Sequence, residues 1–224
     1  MNTVTPPRRP PLPLFVALLA GGLLAACDRN APPPGQQAAA PAVSSPCAMP
    51  IIATNAEMEA ADAALIAAIV TGEAGVASAA IERGANVNVA GALKRTPLFF
   101  AAFCDRPALV TMLLEKGAKP DLADANGMPP RHAAVVVGSA ETAKLLLASG
   151  AGINSRDPAE RSALHLAAAT NQKALVDLLL AAKADISLRD KSGKTAEALA
   201  RDNGHSATAD AIKAQGKPKA PAAK

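Results

Sequence analysis

The chain has 224 residues, half of them apolar, yet only 2% are aromatic and there is neither Trp nor Tyr. Side chains this small cannot fill one large globular core; they suit a stack of thin layers, each buried on its neighbour. The formal charge is +4, or +2 without Arg8 and Arg9, and a balance that small does not imply a nucleic-acid partner.

Residues 1–26 read as an export signal, with Arg8-Arg9 as a basic start and Leu12 to Ala26 as a short apolar stretch. The stretch is shorter than the ~20 residues that span a bilayer. Twin-arginine export fits poorly, because Pro10-Pro11 follow the pair. The stretch ends in Leu24-Ala25-Ala26-Cys27, which resembles the lipobox of bacterial lipoproteins. That resemblance implies cleavage before Cys27 and a diacylglyceryl group on its thiol. It places the protein in the cell envelope on the periplasmic side, anchored by lipid to the inner or the outer membrane. Asp28 resembles an inner-membrane retention signal, a rule that differs between species. Residues 27–56 then form the lipidated Cys and a Pro/Ala-rich tether, extended rather than packed.

From residue 57 to 213 one interval governs the chain. Gly84-Ala85, Gly117-Ala118, Gly150-Ala151 and Lys183-Ala184 each follow the last by 33 positions. Apolar trios precede them in step, among them Met112-Leu113-Leu114 and Leu178-Leu179-Leu180. Earlier in each unit stand Thr96-Pro97-Leu98-Phe99-Phe100-Ala101-Ala102 and Ser162-Ala163-Leu164-His165-Leu166-Ala167-Ala168. A fixed period of this size marks a stacked-repeat architecture, and the spelling resembles the ankyrin repeat. The expectation is therefore an all-α ankyrin-repeat solenoid of about five stacked helix-turn-helix repeats with short finger turns. Thr96 and Ser162 are N-caps, Pro97 takes the first helical position, and glycine ends the second helix in the left-handed region. Lys183 at that glycine position implies strain.

The third repeat departs from the pattern. Met128-Pro129-Pro130-Arg131 is aligned with T-P-L-H, which removes its cap, puts Pro130 inside the first turn and sets His132 one place beyond the family's histidine. Met128 to Gly150 then holds one residue more than Thr96 to Gly117, assigned near Val137-Gly138. The fifth repeat, Asp190 to Lys213, is Ala-rich and reads as a polar cap. Residues 214–224 read as a disordered basic tail.

Few residues suggest chemistry. His165 has the histidine place of the repeat and a structural role, and the three histidines lack metal-ligand spacing, so no metal and no cofactor is expected. Ser192-Gly193-Lys194-Thr195 looks like the end of a phosphate loop, but Leu188 stands where that motif needs glycine. No catalytic residue is assigned and the chain is expected not to be an enzyme. Beyond Cys27, Cys47 and Cys104 are a candidate disulfide in an oxidising compartment.

The ankyrin resemblance implies a protein partner met on the finger tips and on the inner face of the first helices. By register this gives Val70, Lys94, Arg95, Phe103, Val135 and Val136 as partner-binding residues. The expected function is a monomeric, lipid-anchored module that binds a periplasmic or envelope protein, in one version an immunity-type inhibitor of a toxic enzyme. The alternatives are a thiol-dependent redox protein using Cys104 and a purely structural tether.

Overall fold

The computed structural model describes residues 58–215. The chain divides into two units, Met1–Ala40 and Pro41–Lys224, and all described residues lie in the second. The signal segment, Cys27, Cys47 and the basic tail fall outside the described residues.

Five antiparallel helix pairs follow one another: α1 (Ala60–Thr71) with α2 (Ala74–Glu82), α3 (Pro97–Phe103) with α4 (Pro107–Glu115), α5 (Pro130–Val137) with α6 (Ala140–Ala148), α7 (Ala163–Ala169) with α8 (Lys173–Ala181), and α9 (Ala196–Asp202) with α10 (Ser206–Gln215). The first helices form one layer, each packed on the next, and α4, α6, α8 and α10 do the same in a second layer. The described residues contain no strand; finger turns join the pairs. This is the expected all-α solenoid. None of the described helices is long and apolar enough to cross a membrane.

Small residues make the close packing possible. Ala101, Ala102, Ala134, Ala167 and Ala168 are fully buried between Leu98, Leu113, Leu146, Leu164 and Leu179. Helices faced with alanine approach until backbone nearly meets backbone, so each layer is thin and needs few large side chains.

Backbone handedness fixes the repeat. Three positions of the repeat carry positive φ, and each recurs with the same period as the Gly-Ala pairs. They are the finger tip (Lys94, Gly127, Glu160, Gly193), the turn between helices (Gly72, Asp105, Gly138, Asn171, Gly204) and the end of the second helix (Gly84, Gly117, Gly150, Lys183). Lys183 has φ 63, the strained geometry expected of it.

Side chains tie neighbouring repeats together at the same period. Asn88 accepts from the Lys119 N–H at 2.8 Å, Asp121 from Gly152 at 3.2 Å and Asn154 from Asp185 at 2.9 Å. Inside the fingers, Asp124, Asp157 and Asp190 each accept the N–H groups two and four residues on. That Asx turn explains Ser192-Gly193-Lys194-Thr195: Asp190 closes the finger, Gly193 makes the tip at φ 77, and the Thr195 hydroxyl accepts from the Ala198 N–H at 3.3 Å.

The third repeat corrects its alignment. Its N-cap is Pro129, not Met128, and Pro130 stands at the first helical position, one full period after Pro97. No residue is inserted near Val137-Gly138; Gly138 is the left-handed turn residue at φ 82, in step with Asp105 and Asn171. His132 consequently occupies the family's histidine place, one full period before His165. The cap is missing, as expected, because Pro129 offers no hydroxyl and makes no side-chain cap bond.

Candidate functional site

The inner edge of the first helices carries one residue per repeat, in step with the period: Val70, Phe103, Val136, Ala169 and Asp202. Val136 is 49% exposed, Val70, Phe103 and Ala169 are half-buried, and Asp202 is exposed. The ladder is therefore apolar over four repeats and acidic at the fifth.

Val135 does not belong to it. With the third repeat in its corrected register, Val135 aligns with Ala102 and Ala168 and is fully buried. Val136, assigned beside it, keeps its place. Among the described residues, Val76 and Leu93 are also apolar and largely exposed, at 48% and 55%.

Leu93 and Lys94 form the tip of the second repeat's finger, both with φ 55. Both are exposed, so an apolar and a cationic side chain stand together at one finger tip. Sequence reasoning placed the finger tip here but singled out Lys94 and Arg95, not Leu93. The signal for Leu93 was a large aliphatic residue in a turn, two places after Gly91, where burial is not expected.

Arg95 has a different role from its neighbour. Its Nε lies 3.3 Å from Asp124 Oδ2 on the next finger. Its guanidinium lies 4.9 Å from the centre of the Phe99 ring and 5.9 Å from that of Phe103. Phe99 and Phe103 stack at 6.3 Å, while Phe100 meets Phe99 edge-on. Arg95 is thus a clamp between two fingers and an aromatic cluster, with its charge balanced inside the chain. It packs against Phe103 while staying partly exposed.

Cys104 directly follows Phe103 at the end of α3. It is buried, with 3% of its surface exposed, and it is disulfide-bonded. A buried sulfur in a disulfide carries no free thiolate in this oxidised form. The only other cysteines, Cys27 and Cys47, lie outside the described residues.

His132 and His165 are structural. A carbonyl only accepts, so His165 Nε2 carries the proton it donates to Lys194 O at 3.2 Å. Its Nδ1 then accepts from Ser162, from the N–H at 3.2 Å and from the hydroxyl at 2.8 Å. His132 makes the same outward bond, to Arg161 O at 2.9 Å, but its Nδ1 has no partner. The reason is Pro129, which stands where Ser162 does and has neither hydroxyl nor N–H. Burial lowers the pKa of both rings, that of His132 to about 4.

Arg131 is the least expected core residue. It occupies the place of Leu98 and Leu164 and is fully buried, and none of its guanidinium nitrogens has a hydrogen-bond partner. Asp121 Oδ1 lies 3.9 Å away. Desolvation lowers the Arg131 pKa and the Asp121 charge raises it. Among the described residues, no group of His, Cys, Asp and Glu is placed to hold a metal.

Residues 94–125 match the family model described as ankyrin repeat, and residues 131–219 match ankyrin repeats in three copies. Together the matches cover more than half of the chain. No curated protein matches it. The periodic helix pairs, the left-handed positions at fixed places and the bond from the repeat's histidine to the next finger all agree with those matches: the chain belongs to the ankyrin-repeat proteins.

Proposed function

We propose that this ankyrin stack is a binding module held by a lipid on Cys27 at the periplasmic side of the bacterial envelope, where it docks another envelope protein. Ankyrin repeats act in general as protein-interaction modules without catalysis, which supports the binding role. The observation that carries the reading is the apolar ladder Val70, Phe103, Val136 beside the exposed finger pair Leu93 and Lys94. Apolar anchors at the centre with charge at the rim are the usual composition of a protein interface. The version that fits best is an immunity-type inhibitor of a toxic envelope enzyme, because a rigid face held near the membrane can block an active site without any chemistry of its own.

The partner is tested by capture from membranes with the wild-type chain and with Val136→Asp and Lys94→Ala. Val136 is half exposed, so a charge there should leave the fold intact and weaken binding by roughly 2 kcal/mol or more. Lys94→Ala should mainly slow association and flatten its salt dependence. Unchanged binding by both variants would move the interface elsewhere. The anchor is tested by fractionation: the wild type should sediment with membranes and Cys27→Ser should not. A wild-type chain that is soluble, or that retains Met1 by mass spectrometry, refutes the anchor.

A further inference from the structure

We propose that the stack is jointed between its third and fourth repeats: α3 to α6 hold together as one block, α7 to α10 as another, and the second block opens without the first. The joint falls between Val136 and Ala169, so a partner seated on the ladder spans it. That consequence rests on the partner reading above; the joint itself does not.

Two kinds of bond tie neighbouring repeats on either side of this junction, and the residues at the junction can form neither. The first kind joins the finger tips. The Ala125 N–H donates to Leu93 O at 2.6 Å between the second and third fingers, and the Lys191 N–H to Ala159 O at 3.0 Å between the fourth and fifth. Between the third and fourth fingers the same place is held by Pro158, which has no N–H to donate. Its ring packs on Gly127 instead, where a Cβ would come within 2.6 Å of Pro158 Cγ. These two fingers therefore meet through an apolar contact that has no direction. The ion pair of Arg95 with Asp124 is lost here as well. Met128 stands one full period after Arg95, and Asp157 pairs with Arg161 inside its own finger at 2.7 Å.

The second kind of bond joins the turn of one repeat to the second helix of the next. The Thr142 hydroxyl donates to Asp105 Oδ1 at 3.3 Å, and the Thr208 hydroxyl to Asn171 Oδ1 at 2.6 Å. Between the third and fourth repeats these places hold Gly138 and Leu175, and neither side chain can make a hydrogen bond. Gln172 lies over Gly138, its Nε2 3.6 Å from where a Cβ would stand, and its buried Oε1 has no partner. An orphaned acceptor favours the opened junction, where water reaches it. Gly72 and Leu109 hold the same places at the first junction, but the described residues include no finger before α1 to compare.

Other bonds do cross the joint. His132 Nε2 donates to Arg161 O at 2.9 Å, and the Asp185 N–H to Asn154 Oδ1 at 2.9 Å. Both have counterparts at a neighbouring junction, in His165 and in Asp121, so they compensate for neither loss. Together the missing bonds correspond to about a tenfold difference in opening. Stability in a linear stack adds junction by junction, so the stack divides where the junction is weakest. The C-terminal block opens first because it ends in a layer whose buried residues are small, Ala196, Ala200 and Ala209 among them.

Amide hydrogen exchange of the full chain, read by mass spectrometry at low denaturant, tests the joint. Amides of α7 to α10 should share one opening constant, about tenfold or more above that of α3 to α6; a single constant for both blocks refutes the joint. Thr96→Ala removes a cap in the second repeat, far from the junction. It should speed exchange in α3 to α6 several-fold and leave α7 to α10 unchanged; equal acceleration in both refutes the joint. Met128→Arg with Pro158→Ala supplies a cation for Asp157 and an N–H for the third finger. That variant should slow the opening of α7 to α10 by about tenfold, and an unchanged constant also refutes the joint. None of these readouts uses a partner. Failure here leaves the binding reading standing, and capture that is indifferent to Val136 and Lys94 removes that reading and leaves the joint.

Discussion

His132 and His165 stand at the same place in two repeats, and one atom separates their circumstances. Ser162 gives His165 Nδ1 two donors; Pro129 gives His132 none. Folding holds the His132 ring neutral, with its pKa lowered from 6.5 to about 4, chiefly because burial disfavours the charge and in part because Arg131 is close. The unfolded chain takes up this proton near 6.5, the folded chain only near 4. The contribution to stability is therefore complete above about pH 6.5, declines as the pH falls, and is lost by about pH 4. Its size is about 3 kcal/mol. Urea midpoints measured from pH 7 to pH 4 should fall steadily. In His132→Gln, whose amide can still donate to the Arg161 carbonyl, the fall should be smaller; an equal fall would assign the effect to other groups.

At the scale of the element, α5 is the helix whose residues least agree with its position. It lacks a capping hydroxyl and buries a cation where its sister helices bury leucine. Pro129→Thr supplies both a cap and a donor for His132 Nδ1, and should raise stability by about 0.5–2 kcal/mol. Arg131→Leu removes a buried charge with no hydrogen bonds and leaves Asp121 to solvent. A gain of about 1–4 kcal/mol is expected in chemical denaturation. A loss would mean that the pairing of Arg131 with Asp121 is net favourable. Lys183→Gly should add about 1 kcal/mol or less by relieving the left-handed residue at the end of α8.

The same helix shows what the sequence could and could not disclose. The period, the glycine stops and the N-caps Thr96 and Ser162 were legible because each depends on a local rule that one residue type satisfies. The phase of α5 was not, because Pro129 and Pro130 both suit a helix start and a proline gives no cap by which to choose. Pro97 to Pro130 and Gly117 to Gly150 each span one full period, and that pair of intervals decides the phase without an insertion. Burial of Arg131 was invisible for another reason: a charged residue in a helix is ordinarily placed at the surface. In the candidate site the shift of phase is the whole difference between Val135, a core residue, and Val136, an exposed one. The clamp that Arg95 makes was not legible because it depends on Asp124, one finger away and 29 residues along.

For the molecule as a whole, stability is a sum of layers, and the last layer ends it. The final pair buries only Ala196, Ala200, Thr208, Ala209 and Ile212. Its surface holds Arg201 between Glu197 at 3.0 Å and Asp210 at 3.4 Å, and Lys194 beside the inner-edge Asp202 at 2.7 Å. That is the composition of a cap, polar outside and small within. Removing residues 190–224 should expose Leu164, Leu175 and Leu179 and produce aggregates in size-exclusion chromatography. A monomeric truncated chain would show that α7 and α8 can themselves close the stack.

The three left-handed positions of each repeat are not filled alike. The third repeat has glycine at all three, Gly127, Gly138 and Gly150; the fourth has Glu160, Asn171 and Lys183, glycine at none. The repeat with the poorest cap and core thus has the least strained turns, and the repeat with the best-spelled first helix carries the strain. The hand of the backbone at the turns is set at those places and not by the side chains along the inner edge. Scaffold and inner edge can accordingly change independently: Val70, Phe103, Val136 and Ala169 are open to substitution while the turns keep their geometry. In evolutionary terms, the inner edge of this chain can be respelled without the chain learning to fold again.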